Sequence, residues 1–188
     1  MKRLFIALPV VSDAVLNNLL DSLQKQLHYE RINWVKPANL HLTLKFIGEQ
    51  PDSLIPDIQA LMAEVCLRHQ PFSLDFNRTG IFGSSYNPRV LWLGTTADAT
   101  ALNLIANDLL NTLERIGFER DRQNFVPHLT LARINHLSDK PRFQRIIGNI
   151  AQQHYATLDA RSMVLYESIL RKEGPKYHSL SESQLKSS

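Results

Sequence analysis

Two stretches decide how this chain reads: NLHLTLKFIG, residues 39–48, and NFVPHLTLAR, residues 124–133. Each contains His-Leu-Thr-Leu, preceded by an amide-rich or proline-bearing segment. On an extended strand successive side chains alternate between faces, and residues two apart share one, about 6.6 Å apart. Leu40, Leu42, Leu44 and Phe46 are therefore expected on one face, with His41, Thr43 and Lys45 on the other. The second copy sends Leu129 and Leu131 one way and His128 and Thr130 the other. Each strand thus presents an apolar side for packing and a histidine–threonine pair for something else.

Working outward, the surroundings of the two copies match. Residues 3–9 (RLFIALP) form a compact apolar run bounded by proline and read as a buried strand. Ser12 or Asp13 can cap a helix over about 13–28. The alternating stretch 32–49 follows, then a helix over about 52–69. In the second half, strands are predicted at 72–79 and 89–95, joined by a Gly/Ser/Asn/Pro-rich loop at 80–88. A helix over 98–116, the second His-Leu-Thr-Leu strand and a helix over 139–153 come next. Residues 155–170 read as a strand, 171–177 as a turn, and the polar tail 181–188 as frayed. Arg3 precedes His41 by 38 residues and Arg89 precedes His128 by 39. This is a duplicated strand–helix–strand–helix unit. It predicts an α+β fold with two pseudo-symmetric lobes, antiparallel sheets facing a central cleft and helices outside. All 188 residues form a single bilobal domain on this reading.

Composition narrows the function. With 44% apolar and 21% charged residues the chain is an ordinary globular one, and a net charge of +3 suits a local phosphate site better than coating of long nucleic acid by charge alone. No segment approaches the ~20 apolar residues of a membrane span. The opening residues 1–14 (MKRLFIALPVVSDA) read as a first strand and not a signal peptide, because Pro9 interrupts a short apolar run. Cys66 is the only cysteine, which excludes an internal disulfide and suits a cytoplasmic protein.

Facing lobes would bring two imidazoles and two hydroxyls into one cleft. That set fits a phosphodiester: histidine can act as base toward water and as acid toward a departing alkoxide, and threonine hydroxyls can hold non-bridging oxygens. Two histidines fall short of a zinc ligand set, so neither metal nor cofactor is expected.

The paired motifs, with the blocks at 34–49 (WVKPANLHLTLKFIGE), 88–94 (PRVLWLG), 127–133 (PHLTLAR) and 165–168 (LYES), resemble the two-histidine (2H) phosphoesterase superfamily. Within it they are similar to the RNA 2′,3′-cyclic phosphodiesterases, also called the 2′-5′ RNA ligase family, over nearly the whole chain. The resemblance implies metal-independent hydrolysis of RNA 2′,3′-cyclic phosphate ends to 2′-phosphates, with reversible 2′-5′ joining. It implies His41 as general acid, His128 as general base, Thr43 and Thr130 as phosphate-holding residues, and Arg133 as a phosphate or nucleotide contact. Arg133 lies an odd number of residues from His128, so a bulge or strand end must turn it into the cleft. Phe5 and Phe46 are candidates for base stacking, Tyr177 for the cleft border, and Arg120 and Arg122 for RNA-backbone contacts. The expected partner is an RNA end, tRNA fragments included, or a nucleotide, bound by a monomer. A nucleotide-binding module without turnover, and a phosphodiesterase for small cyclic nucleotides, are the competing readings.

Overall fold

The computed structural model describes residues 1–120, 125–171 and 174–186. The central strand is β1 (Lys2–Pro9), whose residues 4–8 are all buried. Asp13 then caps α1 (Ala14–Gln26), its carboxylate accepting from the Leu16 amide at 2.9 Å. The alternating stretch does not make one strand. It divides into β2 (Arg31–Trp34), a 3₁₀ turn at Pro37–Asn39 and β3 (His41–Gln50). Pro37 denies the ladder a donor, so the chain leaves one sheet and enters the other. Next come α2 (Ile55–Cys66), β4 (Phe72–Phe76), β5 (Arg78–Ser84), β6 (Asn87–Gly94) and α3 (Thr100–Glu114). β7 (Leu129–His136), α4 (Lys140–Gly148), β8 (Ala156–Ala160), β9 (Ser162–Ile169) and β10 (Lys176–Gln184) complete the chain.

Two four-stranded antiparallel sheets carry the lobes. The first has the order β10-β9-β1-β3 and the second β2-β7-β6-β5; β4 and β8 form a separate pair. The β1–β3 pairing in one lobe is matched by β6–β7 in the other, as the duplication predicts. Helices α2 and α3 pack together behind the first sheet. Leu27, at the end of α1, joins Leu137 and Phe143 of the α4 region in a cluster against Ile32, Ile81 and Ile134, behind the second sheet. One continuous core links the lobes. At the edge of the second, the buried Glu30 carboxylate accepts from the Ser138 amide (2.6 Å), the Ser138 hydroxyl (3.0 Å) and the Asp139 amide (2.9 Å), tying β2 to the start of α4.

Three local expectations need correction. The segment 80–88 is not a loop: β5 and β6 form a hairpin through it, paired from Arg78↔Gly94 to Ser84↔Asn87 with one register shift between Phe82 and Gly83. Residues 155–170 are two strands in different sheets, parted at Arg161. The tail is not frayed through Gln184, because Ser181–Gln184 pair with Leu165–Ser162; residues 187–188 lie outside the described residues.

Candidate active site

The two histidine strands lie against each other across the cleft, with β3 and β7 approaching within 8 Å between Cα atoms. On β3, His41 sits opposite Pro9 and Thr43 opposite Ala7. The register then slips: Ile6 faces Lys45, so Leu44 is an extra residue, a β-bulge. The slip reverses the alternation beyond it. Lys45, expected beside His41 and Thr43, is only 5% exposed and donates from Nζ to the Glu119 carbonyl at 2.8 Å. Phe46, expected with the leucines, pairs with Phe5 on the cleft side and is 58% exposed.

The second lobe repeats the device. Trp92 faces Thr130, Leu91 faces Ala132, and Leu131 is the extra residue. Ala132 is buried and Arg133 is exposed opposite Val90, the counterpart of Phe5. A bulge three residues after each histidine therefore turns the fifth residue toward the cleft, an aromatic in one lobe and an arginine in the other. This is the redirection that the odd spacing of Arg133 requires.

The segments ahead of the motifs now have a role. His41 Nδ1 lies 2.7 Å from the Asn39 carbonyl, and His128 Nδ1 lies 2.7 Å from the Val126 carbonyl. A carbonyl only accepts, so each Nδ1 carries the hydrogen and donates it. Each neutral ring then holds its lone pair on Nε2, the atom farther from the backbone. Asn39 closes the 3₁₀ turn begun by Pro37, and Val126 precedes Pro127, which favours extended backbone there. Both devices present the carbonyl two residues before the histidine.

Aromatic rings hold the imidazoles in place. His41 is 4.9 Å from Phe5 and edge-on to Tyr177 at 5.2 Å and 88°. Tyr166 stacks on Phe5 at 5.1 Å. His128 meets Phe82 edge-on at 4.7 Å and 88°, and Phe82 rests on Trp92. Phe5, at 2% exposure, supports His41 from beneath, whereas Phe46 offers an open face. Phe82 escaped the sequence reading because it falls in the stretch assigned to a loop; the alternation of IFG with VLW across a turn was the available signal. Arg120 is ion-paired with Glu114 at 3.0 Å, and Arg122 lies outside the described residues.

Burial pushes the His41 imidazole below its usual range. The Asn39 carbonyl opposes this, and the charges of His128 and Arg133 add to the lowering. For His128 burial again leads, Val126 opposes and Arg133 adds. Arg133 thus acts electrostatically on both histidines, and also on Tyr177, whose phenol burial pushes up. Among the described residues no group of three or more His, Cys, Asp or Glu is placed to hold a metal ion.

Two lobes that each contribute a His-x-Thr strand to a shared cleft define the two-histidine phosphoesterase class. The chain belongs to the LigT-like phosphoesterase family, whose model matches it twice, over residues 8–92 and 93–177. It is 31% identical over 178 residues to an Archaeoglobus fulgidus protein named RNA 2′,3′-cyclic phosphodiesterase, covering 95% of this chain and 97% of that one. A similarly named Aeropyrum pernix protein is 31% identical, covering 82% of this chain and 86% of its own. Among solved structures, TT0787 of Thermus thermophilus superposes with a TM-score of 0.76 at 28% identity, covering 97% of each chain. Escherichia coli LigT complexed with 3′-AMP gives 0.78 at 25% identity, covering 98% of each.

Proposed function

We propose that this protein hydrolyses 2′,3′-cyclic phosphate ends of RNA to 2′-phosphates, with His128 as base and His41 as acid. The carrying observation is the matched pair of histidines, each locked by an Nδ1–H bond to the carbonyl two residues back. In this scheme His128 Nε2 takes a proton from water as its oxygen attacks phosphorus. The bond from phosphorus to O3′ breaks, and His41 Nε2–H protonates the leaving oxygen. The products are a 2′-phosphate and a free 3′-hydroxyl. The histidines finish with protonation exchanged and reset through solvent. Thr43 and Thr130 hold the non-bridging oxygens, and Arg133 balances the charge gathering on them.

Burial biases both rings toward the neutral form in the free protein, and the substrate supplies the opposite bias. Its phosphate anion favours an imidazolium beside it and charges one histidine as it binds. With a 5′-hydroxyl in place of water as the nucleophile, the same forward steps join RNA ends through a 2′-5′ linkage, and their reversal cleaves that linkage to a cyclic phosphate and a 5′-hydroxyl. Both lobes contribute to every step, so the chain works as one bilobal domain. The cleft is complete within one copy, which supports a monomer, and the buried free Cys66 suits the cytoplasm. No helix among the described residues is long and apolar enough to cross a membrane.

The test is a pair of variants, His41→Ala and His128→Ala, assayed on a dinucleotide ending in a cyclic phosphate. Each is expected to lose about 10²- to 10⁴-fold in turnover with its circular dichroism intact. Near-wild-type turnover in either variant would remove that histidine from the mechanism.

A further inference from the structure

The outer faces of the two lobes treat their charges differently. Behind the first sheet, Arg68 is held by Asp108 and Glu64, and Arg115 by the same Glu64. That face neutralises itself. Around the second lobe, Arg31, Lys140, Arg142 and Arg145 form no ion pair with any described residue. Two carboxylates lie nearby without pairing to these cations: Glu30 is buried under its three neutral donors, and Asp139 accepts from the Arg142 amide at 2.9 Å to cap α4.

These cations continue from the cleft. Arg133 stands in the cleft on β7, and three residues further on the same strand His136 pairs with Arg31 on β2. At strand rise that is about 10 Å. The chain then turns through Ser138 and Asp139 into α4, which carries Lys140, Arg142 and Arg145. The Arg142 guanidinium lies over the Tyr29 ring, 4.6 Å from its centroid. Arg142 and Arg145 also border a groove of about 890 Å³ between α1 and α4. Positive charge thus runs from the reacting end of the cleft around the rim of one lobe and onto its outer face.

We infer that this track binds the body of the RNA whose cyclic-phosphate end occupies the cleft, so that the protein is built for the ends of polymers and not for mononucleotides. The inference rests on the cleft reading above. Its own support is the continuity of the track with Arg133 and its excess of positive charge, since four cations without an ion pair to any described residue, Arg31, Lys140, Arg142 and Arg145, outnumber Glu30 and Asp139, the charge complement of successive phosphates.

The experiment compares wild type with the Arg31→Gln/Arg142→Gln/Arg145→Gln variant on two RNAs with the same cyclic end, a dinucleotide and an oligomer of about twenty nucleotides. The triple variant is expected to lose roughly tenfold in kcat/KM on the oligomer at low salt and to keep wild-type kcat/KM on the dinucleotide. Its log–log salt slope for the oligomer should flatten by about 2, at about 0.7 per single-strand phosphate contact. Equal losses on both RNAs would overturn the inference, since the arginines would then act through the fold. An unchanged oligomer rate and slope would overturn it too, and would leave the patch to an acidic protein partner. Anisotropy of the same oligomer bearing a 2′-phosphate reads the track without turnover. If wild type turned over neither RNA, weaker oligomer binding by the variant would still support the track while the cleft chemistry failed.

Discussion

Replacing Arg133 by methionine tests the bulge, the electrostatics and the phosphate contact together. The side chain reaches the cleft only because Leu131 is extra in the β6–β7 ladder, and its charge lowers both imidazoles. Methionine keeps the apolar stem and removes the guanidinium. A hydrogen bond to a charged group contributes about 2 kcal/mol, so KM for a cyclic-phosphate dinucleotide should rise roughly thirtyfold. The second consequence has a definite sign. With the neighbouring cation gone, both histidines hold protons more readily, and the pH optimum of kcat/KM should move upward. Steady-state kinetics across about pH 5 to 9, a window chosen to span imidazole titration, measures both effects. A higher KM with an unmoved profile would mean that Arg133 meets substrate but lies outside electrostatic reach of the histidines. An unmoved KM would refute its place in the cleft.

Three further outcomes are expected. Because burial depresses both imidazoles in the free protein, kcat/KM should peak on the acid side of the ordinary histidine value. The bound phosphate anion should carry the kcat profile to higher pH; coincident profiles would contradict this coupling. Glu30→Gln should cost about 2 kcal/mol, or roughly 4–8 °C in Tm, by weakening charge-assisted bonds to Ser138 and Asp139. Burial pushes the Glu30 carboxyl up, but those donors outweigh it and leave it below the usual range. The stability it adds is therefore full at neutral pH and lost as pH falls through its folded pKa, so the gap between wild type and variant should close in acid; a gap independent of pH would refute the assignment.

The sequence carried the leucine faces, the duplication and the histidine–threonine pairs, because these depend on strand and helix periods that composition displays directly. Leu42, Leu44, Leu129 and Leu131 are buried as the alternation requires. The odd spacing of Arg133 called for a bulge or strand end after the second motif, but the bulge after the first was not legible. Nothing in HLTLKF marks Leu44 as the extra residue, since the slip is set by how β1 pairs with β3. Two glycines misled the reading of 80–88. A Cβ at Gly80 would collide with the Trp92 indole, so that glycine makes room across the hairpin. Gly83 adopts φ +100 at the register shift, where it serves a bulge. The tail SESQ looked frayed because it is polar, but β10 is an edge strand held by backbone hydrogen bonds to β9, and an edge needs no apolar alternation.

The central claim is that two tautomer-locked histidines hydrolyse a cyclic phosphate with fixed regiochemistry and without a metal. A phosphorus NMR time course on an oligoribonucleotide ending in a 2′,3′-cyclic phosphate, with chelator present, tests it most directly. The account predicts loss of the cyclic resonance and growth of a single 2′-phosphate signal. A persistent cyclic resonance, a 3′-phosphate product, or turnover that returns only when metal is restored would contradict it.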